Sequence, residues 1–231
     1  MSRQLPLDLG FRPALAREDF FVGLGNRDAV AWIDRWPDWP GNAIALFGPP
    51  GCGKSHLVQV FARTAGARVH AATELRMPLP DTLTAPASAV AVEDCDAIPD
   101  ERALLHLFNL MREHQRGLLL TAAAPPAQWR IALPDLSSRL KAITAVGIVP
   151  PDDDMFAAVL IKLFADRQLQ VSPDVVTYLM RRVDRSFDAA RRIVAELDRG
   201  ALAAGRAVTV PLVKTLLDAQ SAFDFSPTPE A

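Results

Sequence analysis

A chain of 231 residues, half of them apolar and 23% charged, has the composition of an ordinary globular protein and the length for one full core plus a smaller unit. A net charge of −2 excludes a surface given over to nucleic-acid phosphates, though not a local basic patch. The two cysteines, Cys52 and Cys95, form neither a disulfide framework nor a metal-ligand spacing, and no apolar run approaches the roughly 18 residues of a membrane span. With no apolar signal core at the N-terminus, a cytoplasmic protein without a membrane partner is expected.

Residues 1–19 read as an arm. Leu5, Leu7 and Leu9 alternate with Pro6 and Asp8, a strand period from which Pro6 removes a backbone donor. An extended segment of this kind lays alternate side chains into a partner's pockets; the competing reading is an untethered terminus. Phe20–Asn26 then leads into a helical stretch, Arg27–Ile33. Trp32, Trp36 and Trp39 follow with Pro37 and Pro40 and are expected to pack as a shell over the sheet edge. The segment Phe21–Asn26 runs toward the next strand and is a candidate for contact with a nucleotide base.

Ala43–Phe47 is a strand, His56–Ala62 a helix, and between them lies Gly48-Pro49-Pro50-Gly51-Cys52-Gly53-Lys54-Ser55. This matches the phosphate-loop pattern in the strand–loop–helix context that it requires. Glycines let backbone N–H groups close around a polyphosphate, and the helix that follows presents its positive end. Lys54 would reach the β- and γ-phosphates of ADP or ATP, and Ser55 would hold Mg²⁺. His56 closes the candidate nucleotide set.

Arg68–Ala72 reads as a second strand and residues 77–88 as a proline-bearing connection. A third strand, Ala89–Val92, ends in Glu93-Asp94, acids placed to hold Mg²⁺. Cys95 reads as a small semi-buried residue without a role. Asp100–Gln115 is an amphipathic helix, Gly117–Thr121 a fourth strand, Leu133–Leu140 a short helix carrying Arg139, and Ala145–Val149 a fifth strand. Strands alternating with helices predict an α/β fold, a parallel sheet covered on both faces over residues 20–150. From 151 to 220 the pattern is helical: Asp152–Gln168, a helix capped by Ser172-Pro173 and running to about Val183, Ser186–Ala204, and one from Pro211 to about Gln220. Arg181, Arg182, Arg185, Arg191 and Arg192 read by default as a solvated face. Residues 221–231 are expected to form a disordered tail.

Phosphate loop, strand-ending acids, arginine-bearing helix and helical lid together resemble an AAA+ P-loop NTPase, and within that superfamily the DnaA/Hda branch. The resemblance covers roughly residues 4–219. Phe21, Val22 and the residues up to Asn26 resemble the first nucleotide-binding box, Gly48–Ser55 is Walker A, and Val92-Glu93-Asp94 falls on Walker B. Leu120-Thr121 leading to Pro125-Pro126 resembles the first sensor segment. Leu133-Pro134-Asp135-Leu136-Ser137-Ser138-Arg139-Leu140 resembles the branch's arginine-finger helix, and Gln4-Leu5-Pro6-Leu7-Asp8-Leu9 its clamp-binding hexapeptide.

The resemblance implies a negative regulator of replication initiation. Such a protein binds ADP or ATP with Mg²⁺, docks on the DNA polymerase sliding clamp, and promotes hydrolysis of ATP held by the initiator DnaA, contacting DNA mainly through these partners. It also implies roles for Arg139 as a finger acting in trans and for Asp94 and Thr121 in catalysis. Departures from the pattern bear on hydrolysis. Glu93 stands where the usual Walker B aspartate would be, Ala123 at the first-sensor aspartate, and Asp188 near the second-sensor arginine, with Arg191 and Arg192 one turn on. Slow or absent intrinsic turnover is expected. The chain has nothing corresponding to the initiator's helix-turn-helix domain, and the short connection between strands two and three leaves little room for helices that grip single-stranded DNA. The alternative is a DnaA-like ATPase or helicase loader acting directly on DNA or helicase. A metabolic kinase is disfavoured, since the lid and the Arg139 helix would have no role in one. Oligomeric state, self-association included, is left open by the sequence.

Overall fold

The computed structural model describes residues 22–79, 83 and 87–223. Five strands form one parallel sheet in the order β2-β3-β4-β1-β5. They are β1 Ala43–Phe47, β2 Arg68–Ala71, β3 Ala89–Glu93, β4 Gly117–Ala122 and β5 Thr144–Gly147. All six residues of β4 are buried, as are the first four of β1 and of β3. These continuous apolar runs mark strands covered on both faces.

Side-chain alternation divides the core in two. Ala43, Ala45, Val90, Val92, Leu118 and Leu120 pack on one face against helices α3 (Glu101–Glu113) and α4 (Pro134–Ala142). Ile44, Leu46, Ala89, Ala91 and Leu119 pack on the other with α1 (Arg27–Asp34) and α2 (Lys54–Ala65). The tryptophans join this second face: the rings of Trp36 and Trp39 lie 5.5 and 4.8 Å from Phe61 of α2, and Trp39 Nε1 donates to Trp32 O at 2.7 Å. The shell therefore covers α2, and Trp36 also packs on Gly117 at the start of β4.

Four helices follow: α5 (Asp153–Asp166), α6 (Pro173–Met180), α7 (Phe187–Ala204) and α8 (Val210–Phe223). They enclose their own core around Phe156, Leu160, Phe164, Leu179, Val194 and Leu197. Asp152 and Ser186 cap α5 and α7 by accepting the Met155 and Ala189 N–H groups. At α6, Ser172 holds the cap position with no side-chain bond, and Pro173 is the first helical residue. That helix stops at Met180, short of Val183, because Arg181 and Arg182 donate three residues back, to Tyr178 and Leu179. In the other direction, α8 continues to Phe223, into the stretch expected as tail. Strand β5 ends before Val149 because the Val149 N–H turns to the Gly25 carbonyl at 3.0 Å. Among the described residues no helix is long and apolar enough to cross a membrane.

Candidate nucleotide-binding site

The phosphate loop leaves β1 at the carboxyl end of the sheet, where open α/β sheets place ligands. Gly48 N–H donates to Ala122 O of the neighbouring β4 at 3.2 Å, and a Cβ on Gly48 would collide with the Ile148 carbonyl. Gly51 has φ +73°, in the left-handed region that favours glycine. α2 begins at Lys54. Its side chain is buried, and Nζ donates to Gly48 O at 2.7 Å and Pro49 O at 3.0 Å. No carboxylate pairs with this ammonium among the described residues. A buried cation bonded to backbone carbonyls and, among the described residues, to no carboxylate, at the start of a helix whose dipole is also positive, fits a polyphosphate. Cys52 is buried beneath it, with Sγ 4.0 Å from Nζ. Burial pushes the Cys52 thiol above its ordinary range, and the Lys54 charge opposes that shift.

The exposed Ser55 and the pair Glu93-Asp94 make up the expected magnesium set. β3 includes Glu93, and the backbone then turns at Asp94 with φ +60°, a conformation aspartate tolerates. Asp94 N–H donates to the Thr121 hydroxyl at 3.4 Å. Thr121 is buried, so it serves as the post that holds Asp94. Two residues further on, Ala123 N–H donates to Asp96 Oδ2 at 3.3 Å. Asp96, which the motif reading passed over, therefore brings a carboxylate to the backbone of the position that lacks one. Oxygen donors from Ser55, Glu93 and Asp94 suit Mg²⁺.

The turn at residues 22–26 sits where the sheet meets the lid. Gly25 packs on Val149, and Gly23 on Met155 of α5. Asn26 is buried, and its Oδ1 accepts Gly23 N–H at 2.8 Å, so this side chain shapes the turn from within. Val22 is exposed. Phe21 lies outside the described residues, as do Gln4, Leu5, Pro6, Leu7, Asp8 and Leu9.

The lid meets the loop directly. Phe187 N–H donates to Gly51 O at 2.9 Å, and the Ser186 side chain packs against Gly51. Arg191 Nη2 donates to His56 Nδ1 at 3.1 Å while Nη1 approaches Asp188 at 3.5 Å. The lid cation at the loop is thus Arg191, one turn beyond the reversed charge at Asp188, and Arg192 is exposed. His56 belongs to this lid contact. No local signal joins positions 56 and 191; only the fold does.

Arg139 stands apart. Its helix α4 covers the sheet face opposite α2. Leu136 and Leu140 are buried as anchors, and the half-exposed guanidinium lies 5.8 Å from the Phe108 ring centre. It forms no ion pair with Asp135. Glu101, the first residue of α3, fastens the entry to α4 by accepting the Ala132 and Leu133 N–H groups at 2.8 and 2.7 Å.

Two comparisons with known proteins bear on this arrangement. Domain III of the Thermotoga maritima replication initiation protein DnaA superposes with a TM-score of 0.79 at 17% identity, over 90% of this chain and 97% of that one. Residues 152–217 match the family described as "Hda, lid domain". The chain is thus similar to Hda in its lid and to DnaA domain III in its fold. AMPPCP-bound DnaA from Aquifex aeolicus superposes with a TM-score of 0.67 at 19% identity, over 80% of this chain and 65% of the longer protein. The RuvB Holliday junction branch migration motor of Thermotoga maritima gives 0.60 at 13% identity, over 77% and 61%. At such identities the likeness is one of fold. The chain spans about two thirds of the length of these longer proteins.

Proposed function

We propose that this chain binds ADP or ATP with Mg²⁺ in its phosphate loop and acts as a negative regulator of replication initiation. It docks on the DNA polymerase sliding clamp through Gln4–Leu9 and presents Arg139 to ATP held by DnaA. Lys54 and the loop amides bind the phosphates, Ser55, Glu93 and Asp94 hold the metal, and the turn at Val22–Asn26 borders the base. Held by Ser55, Glu93 and Asp94, Mg²⁺ would offset phosphate charge at the loop. Support for the nucleotide comes from the buried, carboxylate-free Lys54 and from solved DnaA relatives described as bound to AMPPCP.

The observation that carries the regulatory reading is the placement of Arg139. It lies on the sheet face opposite α2, on a helix held at its start by Glu101, with no acid partner among the described residues. A guanidinium so placed serves a nucleotide on a different molecule, and a planar, permanently charged fork suits the γ-phosphate oxygens during transfer. With Ala123 at the sensor position, the chain's own turnover is slow.

The test is capture of the sliding clamp by the full chain and by a chain lacking residues 1–10. The full chain retains the clamp and the shortened one loses it, with ADP binding equal in both. Equal clamp capture removes the arm from the account. Tight binding of the full chain to single-stranded DNA alone replaces the reading with a DNA-acting ATPase.

A further inference from the structure

His56 follows Ser55 in the phosphate-loop sequence, yet its imidazole is buried and engaged with the lid. A guanidinium carries several N–H donors and no acceptor. The 3.1 Å contact between Arg191 Nη2 and His56 Nδ1 is therefore N–H donation from arginine to a neutral ring whose Nδ1 lone pair is available. The same guanidinium reaches Asp188 Oδ1 at 3.5 Å, so it is held from two sides, by the loop helix and by its own. Two further contacts fall on the same spot: Phe187 N–H on Gly51 O, and Ser186 on Gly51. The first turn of α7 is thus seated on the loop at a backbone position and at a side-chain position. Only the side-chain contact involves a cation.

We propose that His56 is a positioning residue for the lid: its Nδ1 orients Arg191 at the phosphate loop and thereby couples the seating of α7 to the state of the loop. The proposal rests on reading that loop as a nucleotide site, but its central contact joins two protein side chains and is tested without nucleotide. A phosphate-ligand role for His56 would leave Arg191 indifferent to the identity of residue 56. The positioning role makes the two interdependent.

The experiment follows amide hydrogen exchange of residues 186–191 in the full chain without nucleotide, for the parent, His56→Phe, His56→Asn, Arg191→Ala and the His56→Phe/Arg191→Ala double variant. Asparagine keeps an acceptor oxygen at the δ1 position, whereas phenylalanine keeps bulk alone. His56→Phe and Arg191→Ala each speed exchange there by about tenfold, the double variant adds nothing further, and His56→Asn stays near the parent. Additive effects, unchanged exchange in His56→Phe, or a His56→Asn variant that behaves like phenylalanine would overturn the assignment. Arg191 is partly exposed, so its variant with and without His56→Asn keeps the test decisive if phenylalanine is not accepted in the core. An ADP titration of the same proteins runs alongside, in which His56→Phe weakens binding about fivefold and His56→Asn restores it. Should the parent bind no ADP while the exchange pattern holds, the nucleotide reading falls and the His56–Arg191 coupling stands.

Discussion

A buried ammonium surrounded by carbonyl oxygens attracts an anion, and Lys54 is held in that way. Lys54→Ala removes the cation facing the phosphates and costs at least about tenfold in ADP affinity, roughly 1.4 kcal/mol. Titration calorimetry reads this directly, and unchanged affinity rules Lys54 out as a ligand. Cys52, just below, is buried with its thiol pushed upward, and Cys95 is buried and pushed upward as well, chiefly by burial. The thiolate is the reactive form, so at pH 8 a thiol reagent labels neither cysteine until the chain is unfolded. Rapid stoichiometric labelling of the native protein would contradict that burial. At this scale the sequence was most readable where a motif prescribes a residue type, as at Lys54 and Ser55. It was least readable where a partner is distant: Asp96 reaches Ala123 and Arg191 reaches His56 only because the topology brings their elements together.

Elements were legible in proportion to their apolar pattern. The five strands and the helix Phe187–Ala204 follow from continuous or amphipathic runs with clear caps, whereas ends were displaced wherever a tertiary bond captured the next backbone group, as Gly25 captures Val149. Two predictions belong here. Glu101→Ala frees the Ala132 and Leu133 amides at the entry to α4; in this partly solvated setting it lowers stability by about 1 kcal/mol, measured by chemical denaturation, with ADP affinity unchanged. An unaltered midpoint would mean that the carboxylate does not hold α4. Gly51→Ala combines a left-handed φ with a Cβ only 2.6 Å from the Ser186 Cβ. The left-handed backbone alone costs roughly 1–2 kcal/mol, and relief of the contact lifts α7 from the loop. Faster exchange at residues 186–191 in this variant is the expected sign; exchange equal to the parent would show that the lid does not rest on Gly51.

At the scale of the whole molecule, the helix that follows the phosphate loop and the arginine-bearing helix cover opposite faces of one sheet, with a lid seated on the loop. Under the proposed function, the loop binds this chain's own nucleotide and Arg139 acts on a nucleotide held by another molecule. The sheet and the four-helix lid were legible because alternating strands and helices give way to helix alone at residue 152. The seating of the lid was not, since Asp188 suggested a missing cation and the fold supplies Arg191 a turn later. The most direct measurement is the rate at which DnaA-bound ATP is hydrolysed on clamp-loaded DNA in the presence of this chain or its Arg139→Ala variant. An arginine finger supplied in trans contributes about 10³–10⁵ in rate, so even partial use is easily detected. The account predicts that the parent stimulates hydrolysis while Arg139→Ala, still folded and still binding ADP and clamp, does not. Stimulation by Arg139→Ala equal to that of the parent would contradict it.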